Sequence, residues 1–362
     1  MTKRITILGT GGAGQGYSGM IEQTALALDR IKDVDVHSIA FSRTPHQNIS
    51  KEFAKIKSKP FVLGDVSLVI GFPSAATSTQ IGKFRVLSTM FETDKLPTGK
   101  EWAGVEENAP ALINKTCDLL IVPCEHNRKL FKESGVTIPI EVVPCGINPN
   151  LFPYVERKPE PDHKFTFFMY GTLTLRKNPG MVISAFASLF KDNPNVRLVL
   201  KTQSGTLGHV EYVDMGDITV VDTLWTVETL YRALEDADCM VFPTRGEGFG
   251  IPPLEAMATG LPTIIADNTG MSDYANPDYN LAVPTKAVVP AQRYPHKWGD
   301  VGNWYDPDYD DLKAKMKWVY ENQDEAKAMG ARASKWVHEN WTYNNTAVKL
   351  VEAIKKHYKG WQ

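Results

Sequence analysis

Short apolar runs alternate with amphipathic stretches along the first part of the chain. The run Ile5–Leu8 is bounded by a glycine-rich stretch, which is typical of a buried parallel strand. The next stretch, Ser18–Arg30, carries apolar side chains at helical spacing. Five further runs are strand candidates: Val34–Phe41, Val66–Phe72, Phe84–Phe91, Cys117–Pro123 and Ile140–Gly146. Alternation of strands and helices predicts a parallel sheet that is covered on both faces.

The alternation stops at residues 147–164, which contain four prolines and no regular apolar period, and then begins again. Such a segment is typical of a linker. Beyond it the pattern predicts strands at Phe165–Gly171, Val196–Leu200, Ile218–Asp222, Asp238–Pro243 and Pro262–Ala266. It predicts helices at Pro179–Phe190, Val227–Asp236 and Pro252–Thr259. We therefore expect two α/β domains in series, at residues 1–155 and 156–342.

Length and composition agree with a two-domain globular protein. The chain has 362 residues, and a domain takes roughly 150. A net charge of -2 gives no global attraction to nucleic acid or anionic lipid. The four cysteines show no CxxC spacing, and no apolar run is long enough to span a membrane, so we expect reduced thiols in a cytoplasmic protein.

The glycine-rich stretch Thr6–Met20 fits the GxGxxG dinucleotide fingerprint in two registers. One register uses Gly9, Gly11 and Gly14, and the other uses Gly14, Gly16 and Gly19. A dinucleotide fold also needs an acid at the tip of the second strand, where this chain has no acid but has Arg43. Because an arginine suits a 2′-phosphate, an NADP-dependent oxidoreductase remains an alternative.

The segment Phe242–Ile264 carries the strongest chemical signal. A strand ends at Phe242, a turn with three glycines follows, and two prolines open a helix that Gly260 stops. A turn at the carboxyl end of a strand and the amino end of a helix favours an anionic phosphate.

Two acidic residues, Glu247 and Glu255, flank this turn and helix start. We expect Glu247 in the loop and Glu255 in the first helical turn, so both can face one ligand. Carboxylates accept hydrogen bonds from hydroxyl groups, and amides hold phosphates, so a sugar nucleotide fits both. Glu255 alone is also explained as a carboxylate that interacts with the helix dipole.

The sequence "EGFGIPPLE" resembles the Glu-x7-Glu signature of retaining glycosyltransferases, most closely glycosyltransferase family 4 (glycosyl transferases group 1). The resemblance continues in "CDLLIVPCEHNRKLFKESGV", "IEVVPCGINPNLF" and "FMYGTLTLRKNPGMVISAF", and so covers nearly the whole chain. It implies the α/β GT-B fold, with two Rossmann-like domains whose parallel sheets face each other across a cleft. It also implies that the C-terminal helix, residues 343–362, crosses back to complete the first domain.

The resemblance assigns roles to individual residues. Glu255 would hold the ribose hydroxyls, Glu247 would contact the transferred sugar, and Lys177 would neutralise the leaving diphosphate with help from Arg176. Further donor contacts fall on loop and helix-start positions: Gly14, Gly16, Thr172, Gly248, Phe249, Gly250 and Ile251. Thr172 stands where many members have an arginine.

On the acceptor side the residues leave more open. The family often presents a histidine beside the reacting carbon, and none can be placed here. Glu92 and Asp94 lie in the corresponding region, and an equally good interpretation makes them solvated loop acids. The basic stretch Ser50–Pro60 suits anionic lipid, and hence peripheral membrane contact, or a DNA backbone, but it is also explained as a solvated basic helix.

The sequence thus predicts a retaining hexosyl- or pentosyltransferase that uses a nucleoside diphosphate sugar and a hydroxyl acceptor. The acceptor class stays open among a glycan, a lipid-linked glycan and a modified DNA base. We expect no cofactor and no metal, because the acidic clusters Asp33–Asp35, Asp236–Asp238 and Asp306–Asp311 fit solvated caps better. A non-catalytic sugar-nucleotide-binding protein is a further alternative.

Overall fold

The computed structural model describes residues 3–9, 16–39, 49–60, 62, 64–75, 82–99, 108–157, 163–202, 212–214, 216–292, 294 and 298–361. The chain divides into two compact units. The first unit contains residues 1–146, 294–302 and 342–362, and the second contains residues 147–293 and 303–341.

The first unit is built on a six-stranded, fully parallel sheet in the order β2-β1-β3-β4-β5-β6. Its strands are β1 (Lys3–Leu8), β2 (Val34–Ile39), β3 (Val66–Ile70), β4 (Phe84–Ser88), β5 (Leu119–Val122) and β6 (Ile140–Val142). The helices between them are α1 (Gly16–Asp29), α2 (Lys51–Ser58), α3 (Ala109–Thr116) and α4 (Glu125–Glu133). The interior strands β3 and β5 are buried along their whole length, as parallel strands with both faces covered must be.

The second unit holds an eight-stranded sheet in the order β14-β13-β12-β11-β7-β8-β10-β9. Its strands are β7 (Phe165–Tyr170), β8 (Val196–Thr202), β9 (Tyr212–Asp214), β10 (Ile218–Asp222), β11 (Cys239–Phe242), β12 (Thr263–Asp267), β13 (Leu281–Pro290) and β14 (Asn303–Pro307). Its helices are α5 (Pro179–Phe190), α6 (Val227–Asp236), α7 (Ile251–Ala258), α8 (Tyr309–Glu321) and α9 (Gln323–Asn340). The sheet is parallel except at its two edges, where β9 and β14 run antiparallel to their neighbours.

The last helix, α10 (Tyr343–His357), belongs to the first unit, where it packs against α1. It begins with a capping box, in which the Thr342 side chain accepts from the Asn345 backbone and the Asn345 side chain accepts from the Thr342 backbone. Leu350 and Ile354 lie on the apolar face of α10, and both side chains are buried.

Residues 294–302 leave the second unit between β13 and β14 and are part of the first unit. They are bonded to the loop that follows β4: the Thr93 hydroxyl donates to the Val301 carbonyl at 2.6 Å, and the Gly99 amide donates to the Trp298 carbonyl at 2.7 Å. The domain boundaries predicted from sequence place this segment inside the second domain, residues 156–342.

Candidate active site

The loops that follow β7 and β11 lie at the same edge of the second sheet. The two strands are adjacent and parallel, so their carboxyl ends point the same way. The chain after β7 forms the turn 171–178 and leads into α5, and the chain after β11 forms the turn 243–250 and leads into α7. In open α/β sheets this edge is where ligands bind.

Glu247 lies at the centre of a buried cluster on the second of these turns. Its Oε1 atom is 2.8 Å from Arg176 Nη1, 2.8 Å from Lys177 Nζ and 2.8 Å from the Thr244 hydroxyl, which donates to it. Glu247 and Lys177 are only 7% and 8% exposed. The structure therefore brings together three residues that the sequence analysis named, although about 70 positions separate them in the chain.

The charges in this cluster fix the protonation state of Glu247. Burial by itself raises the pKa of a carboxyl group, but the positive charges of Arg176 and Lys177 outweigh it, so the pKa of Glu247 lies below its ordinary value. Glu247 is therefore ionised at neutral pH. Two cations meet one carboxylate here, so the three side chains together carry a net positive charge.

Backbone contacts hold the Glu247 turn in place. The Glu247 amide donates to the Thr269 hydroxyl at 2.8 Å, and the Gly270 amide donates to the Glu247 carbonyl at 3.1 Å. The Lys177 ammonium also lies over the ring of Phe242, 4.6 Å from its centroid. These contacts orient the carboxylate and the ammonium before any ligand binds.

The helix start beside Glu247 needs a glycine. Gly250, the N-cap of α7, has φ +94°, and a Cβ atom there would lie 2.5 Å from the Tyr274 hydroxyl oxygen. Tyr274 donates to the Gly250 carbonyl at 2.7 Å. No side chain caps α7, which begins at Ile251, and the positive end of its dipole faces this edge of the sheet.

Phe249 is buried at 1% exposure and packs against Tyr274 and Trp341, with ring centroids 5.8 and 5.9 Å away. Its ring thus belongs to the core of the second unit. Any contact between Phe249 or Gly248 and a ligand would therefore come from the backbone, as the family resemblance implies.

Glu255 is the fifth residue of α7, so the prediction that it lies in the first helical turn is wrong. The helix begins one residue earlier than predicted, at Ile251. The Tyr170 hydroxyl lies 2.5 Å from Glu255 Oε2 and 3.0 Å from the Pro252 carbonyl oxygen. When Glu255 is ionised, the single hydroxyl proton goes to the carboxylate. When Glu255 is protonated, it donates to Tyr170, and Tyr170 donates to Pro252.

Glu255 differs electrostatically from Glu247. Burial raises the pKa of Glu255 to about 7, and the hydrogen bond from Tyr170 offsets that only in part. Over the described ranges, no Lys, Arg or His side chain forms an ion pair with Glu255. The candidate site therefore contains one carboxylate, Glu247, that is charged at neutral pH and one, Glu255, whose pKa lies near neutral pH.

Two other predicted donor residues, Thr172 and Gly16, lie outside the Glu247 cluster. Thr172 is exposed in the turn after β7, where its carbonyl accepts from the Thr174 amide at 2.8 Å. Gly16 is the first residue of α1, with φ +48°. Gly14 and Arg43 lie outside the described residues.

Glu92 and Asp94 belong to the first unit, in the loop after β4. Glu92 Oε1 accepts from the Tyr294 hydroxyl at 2.9 Å, and Asp94 is exposed. His126 Nε2 donates to the Thr93 carbonyl at 3.0 Å, which brings a histidine against this loop. Burial lowers the pKa of His126. Sequence reasoning did not single out this histidine, because it lies on α4, remote from the loop in sequence.

The acidic clusters act within the fold. Asp35 bonds Arg4 and His37, and Asp238 bonds His163 and the Thr166 amide. Asp308 caps α8, as predicted for the helix that this cluster opens. Across the described part of the chain, His, Cys, Asp and Glu form no group of three or more that could hold a metal ion.

Sequence reasoning missed Thr244, Thr269 and Tyr170. Each is a single polar residue at a strand end or in a turn, and none belongs to a pattern. For Tyr170 the only signal is its place directly before Gly171, at the end of β7.

Comparison with known proteins identifies the class. Residues 153–336, half of the chain, match the sequence model of the family described as Glycosyl transferases group 1. The chain therefore belongs to this family of glycosyltransferases, and the resemblance drawn from its sequence is confirmed. The family match does not favour the oxidoreductase alternative.

Individual relatives are distant. The MMP alpha-(1->4)-mannosyltransferase of Mycolicibacterium hassiacum is 20% identical over 272 residues, which cover 72% of this chain and 59% of that protein. The chain thus spans less than two thirds of the length of this curated relative.

Two solved structures share the fold. Sucrose-phosphate synthase from Thermosynechococcus elongatus has a TM-score of 0.69 at 15% identity, over 99% of this chain and 100% of that one. Anabaena HepE in complex with UDP and glucose has a TM-score of 0.65 at 13% identity, over 98% and 100%. The predicted GT-B fold is confirmed. Of the helices that the structure describes, none is both long and apolar enough to cross a bilayer.

Proposed function

We propose that this protein transfers a hexosyl or pentosyl group from a nucleoside diphosphate sugar to an acceptor hydroxyl, with retention of anomeric configuration. The observation that carries the proposal is the Glu247 cluster, in which one buried carboxylate and two cations are held at the ligand-binding edge of the second sheet. Membership of a glycosyltransferase family supports the reaction class. A structural neighbour of the same fold contains UDP and glucose, which supports the donor class.

We assign the ribose, the transferred sugar and the diphosphate of the donor to residues of the second unit. Glu255 would accept hydrogen bonds from the ribose hydroxyls. Glu247 would accept hydrogen bonds from the transferred sugar. The amides at the start of α7 would face the diphosphate, where the helix dipole favours negative charge.

The barrier to transfer is departure of the diphosphate from a carbon with oxocarbenium character. Lys177 and Arg176 would stabilise the negative charge that grows on the leaving oxygen. Because Glu247 already fixes both cations, little reorganisation is needed when that charge develops. We propose that the acceptor arrives on the same face as the leaving group, whose oxygen takes the acceptor proton, so Glu247 is not a nucleophile.

We also propose that the reaction needs no metal, because Lys177 and Arg176 supply the positive charge that a cation would supply elsewhere. Full activity in EDTA would support this, and activity that depends on added Mg²⁺ or Mn²⁺ would contradict it. The four cysteines are buried thiols, which fits a cytoplasmic setting.

Ligand stabilisation tests the donor class. UDP-, GDP- and ADP-sugars, together with NADPH, are added to the purified protein, and the thermal midpoint is measured. We expect at least one sugar nucleotide to raise the midpoint in the wild type and Glu325→Gln, and to do so much less in Glu247→Gln. Glu325 is an exposed acid of α9 in the same unit, so its variant is the control. Stabilisation by NADPH alone would contradict the proposal.

Turnover separates an enzyme from a binding protein. A sugar nucleotide that stabilises the wild type should also be hydrolysed or transferred by it. Binding without turnover in the presence of an acceptor panel would favour the non-catalytic alternative.

A further inference from the structure

A row of aromatic side chains follows the carboxyl edge of the first sheet. Tyr17 is the second residue of α1, Phe72 lies two residues after β3, and Phe91 lies three residues after β4. Residues 294–302 add Tyr294 and Trp298 to the same unit. We call these five residues the aromatic strip. They lie at the edge where parallel α/β sheets bind ligands.

Each ring of the strip contacts the next one in space. Tyr17 and Phe72 meet edge to face with centroids 5.4 Å apart, and Phe72 and Trp298 are 6.2 Å apart. Trp298 stacks on Tyr294 at 5.8 Å. Phe91 lies beneath both, 6.3 Å from Trp298 and 6.0 Å from Tyr294. The five rings are therefore in continuous contact with one another.

The strip is only partly covered. Phe91 is 1% exposed and anchors the strip in the core, whereas Phe72 is 44% exposed. Tyr17, Tyr294 and Trp298 are half-buried. A ligand that covers an exposed aromatic ring removes apolar surface from water, and this burial favours binding at a ligand-binding edge.

Carboxylates lie beside the rings. Glu92 Oε1 accepts from the Tyr294 hydroxyl at 2.9 Å, so the acid is held at the end of the strip. Asp94 is exposed two residues further on. The nearby cation Lys95 forms an ion pair with Asp300 at 2.7 Å. Among the described residues of the first unit, Glu92 and Asp94 therefore place carboxylates beside the rings.

This combination selects among ligand classes. A pyranose ring has an apolar C–H face that stacks on aromatic rings and a rim of hydroxyls that donate to carboxylates. An anionic lipid surface or a nucleic-acid backbone would instead be repelled by Glu92 and Asp94. The chemistry of the strip therefore fits a neutral saccharide.

We infer that the aromatic strip binds a neutral glycan acceptor, with a sugar ring stacked on Phe72 and Trp298 and its hydroxyls bonded to Glu92. The acceptor role rests on the proposed transferase function, but saccharide binding does not and is tested separately. The inference narrows the acceptor to a carbohydrate, free or at the end of a lipid-linked chain.

Saturation-transfer NMR measures saccharide binding to the full chain. The probes are methyl α-D-mannopyranoside, methyl α-D-glucopyranoside, N-acetylglucosamine and maltotriose. We expect saturation of the protons on one ring face of at least one probe, and a loss of five-fold or more in Phe72→Ala and in Trp298→Ala. Trp298→Phe, which keeps an aromatic face, should recover part of the signal.

The control is Tyr279→Ala, which removes a ring that stacks on Trp336 in the second unit, with centroids 4.6 Å apart. This variant should keep the saccharide signal. Folding of every variant is checked by far-UV circular dichroism and by the thermal midpoint of the unliganded protein, and the thermal shift with UDP, which reports on the second unit, should not change. If UDP fails to stabilise any protein, the proposed function fails while the saccharide result still decides the strip.

Three results would overturn the inference. The first is that no probe shows saturation with the wild type, and the second is that Phe72→Ala leaves the signal unchanged. The third is that the chain sediments with phosphatidylglycerol vesicles and loses this binding in Phe72→Ala, which would make the strip a membrane-contact surface.

Discussion

Replacement of Glu255 by glutamine should stabilise the protein at alkaline pH and leave it almost unchanged in acid. The pKa of Glu255 is raised from 4.5 to about 7 by burial, and Tyr170 is its hydrogen-bond donor. Below pH 4.5 the carboxyl group is protonated in the folded and the unfolded chain, so it adds no penalty. Between pH 4.5 and about 7 the carboxyl group of the unfolded chain is ionised, whereas in the folded chain the buried group stays protonated until the pH reaches about 7. Stability is therefore lost over this interval.

The magnitude follows from the shift. A change of about 2.5 in pKa corresponds to about 3 kcal/mol at 1.36 kcal/mol for each pKa unit. The Glu255→Gln variant does not ionise and escapes this cost. Its unfolding transition at pH 8 should lie roughly 6 to 12 °C above that of the wild type for a unit of this size. At pH 4.5 the two proteins should melt within about 1 °C of each other. Glutamine has the shape of a protonated glutamic acid, so we expect the free energies of unfolding to differ by only about 0.3 kcal/mol.

Differential scanning calorimetry at several pH values between 4.5 and 8 measures this dependence. Glu325→Gln in α9 removes an exposed acid from the same unit and should leave the pH profile of the wild type unchanged. If Glu255→Gln and the wild type show the same pH profile, Glu255 is ionised in the folded protein throughout, and our account of its burial is wrong.

Three further predictions concern the same unit. Tyr170→Phe removes the hydrogen bond that lowers the pKa of Glu255, so this pKa should rise further. UDP affinity, measured by titration calorimetry at several pH values, should then reach its plateau at higher pH than in the wild type. The same titration of Glu255→Gln corrects for the ionisation of UDP itself, and an unchanged pH profile in Tyr170→Phe would contradict the prediction. Glu247→Gln leaves two cations without their carboxylate and should cost about 3 kcal/mol at pH 7. Because the pKa of Glu247 is lowered, that cost should shrink in chemical denaturation as the pH falls below about 4.5, and a cost that does not shrink would refute the ion pairing. Gly250→Ala should destabilise the protein by about 2–4 kcal/mol, because residue 250 has a φ of +94° and a Cβ atom there would clash with Tyr274. The control is Gly180→Ala, whose Cβ atom would meet nothing within 4 Å, and it should be neutral or slightly stabilising. Equal melting temperatures of the two variants would refute the strain argument.

The central strands of the second sheet were predictable because strands that are buried on both faces consist of continuous apolar runs. β7 and β11 are buried at every residue, and the sequence predicted both to within one residue at either end. β13 was missed because most of its residues are exposed and it contains Pro284 and Pro290, so it carries neither an apolar run nor a strict alternation. β9 has only three residues, too few for any period.

The site was predictable in part. The spacing around Glu247 and the family resemblance named the acids and the lysine, but no spacing rule predicts that Arg176, Lys177 and Thr244 meet one oxygen atom of Glu247. That meeting depends on the adjacency of β7 and β11, which strand order alone decides.

The segment 294–302 could not be assigned from sequence. It lies between two strands of the second sheet, and only long-range contacts such as the bond between Gly99 and the Trp298 carbonyl place it in the first unit. Single residues of this kind carry no periodic signal, so the aromatic strip was invisible before the fold was known.

Donor turnover followed by ¹H NMR tests the central claim most directly. The purified protein is incubated with UDP-, GDP- and ADP-linked α-sugars in EDTA, and the anomer of the sugar released to water is recorded as it forms. We predict that one donor yields the α-anomer first, and that Glu247→Gln and Lys177→Met slow its release by a factor of about 10² or more, whereas Glu325→Gln does not. Release of the β-anomer first, or equal rates in the wild type and both site variants, would contradict the account.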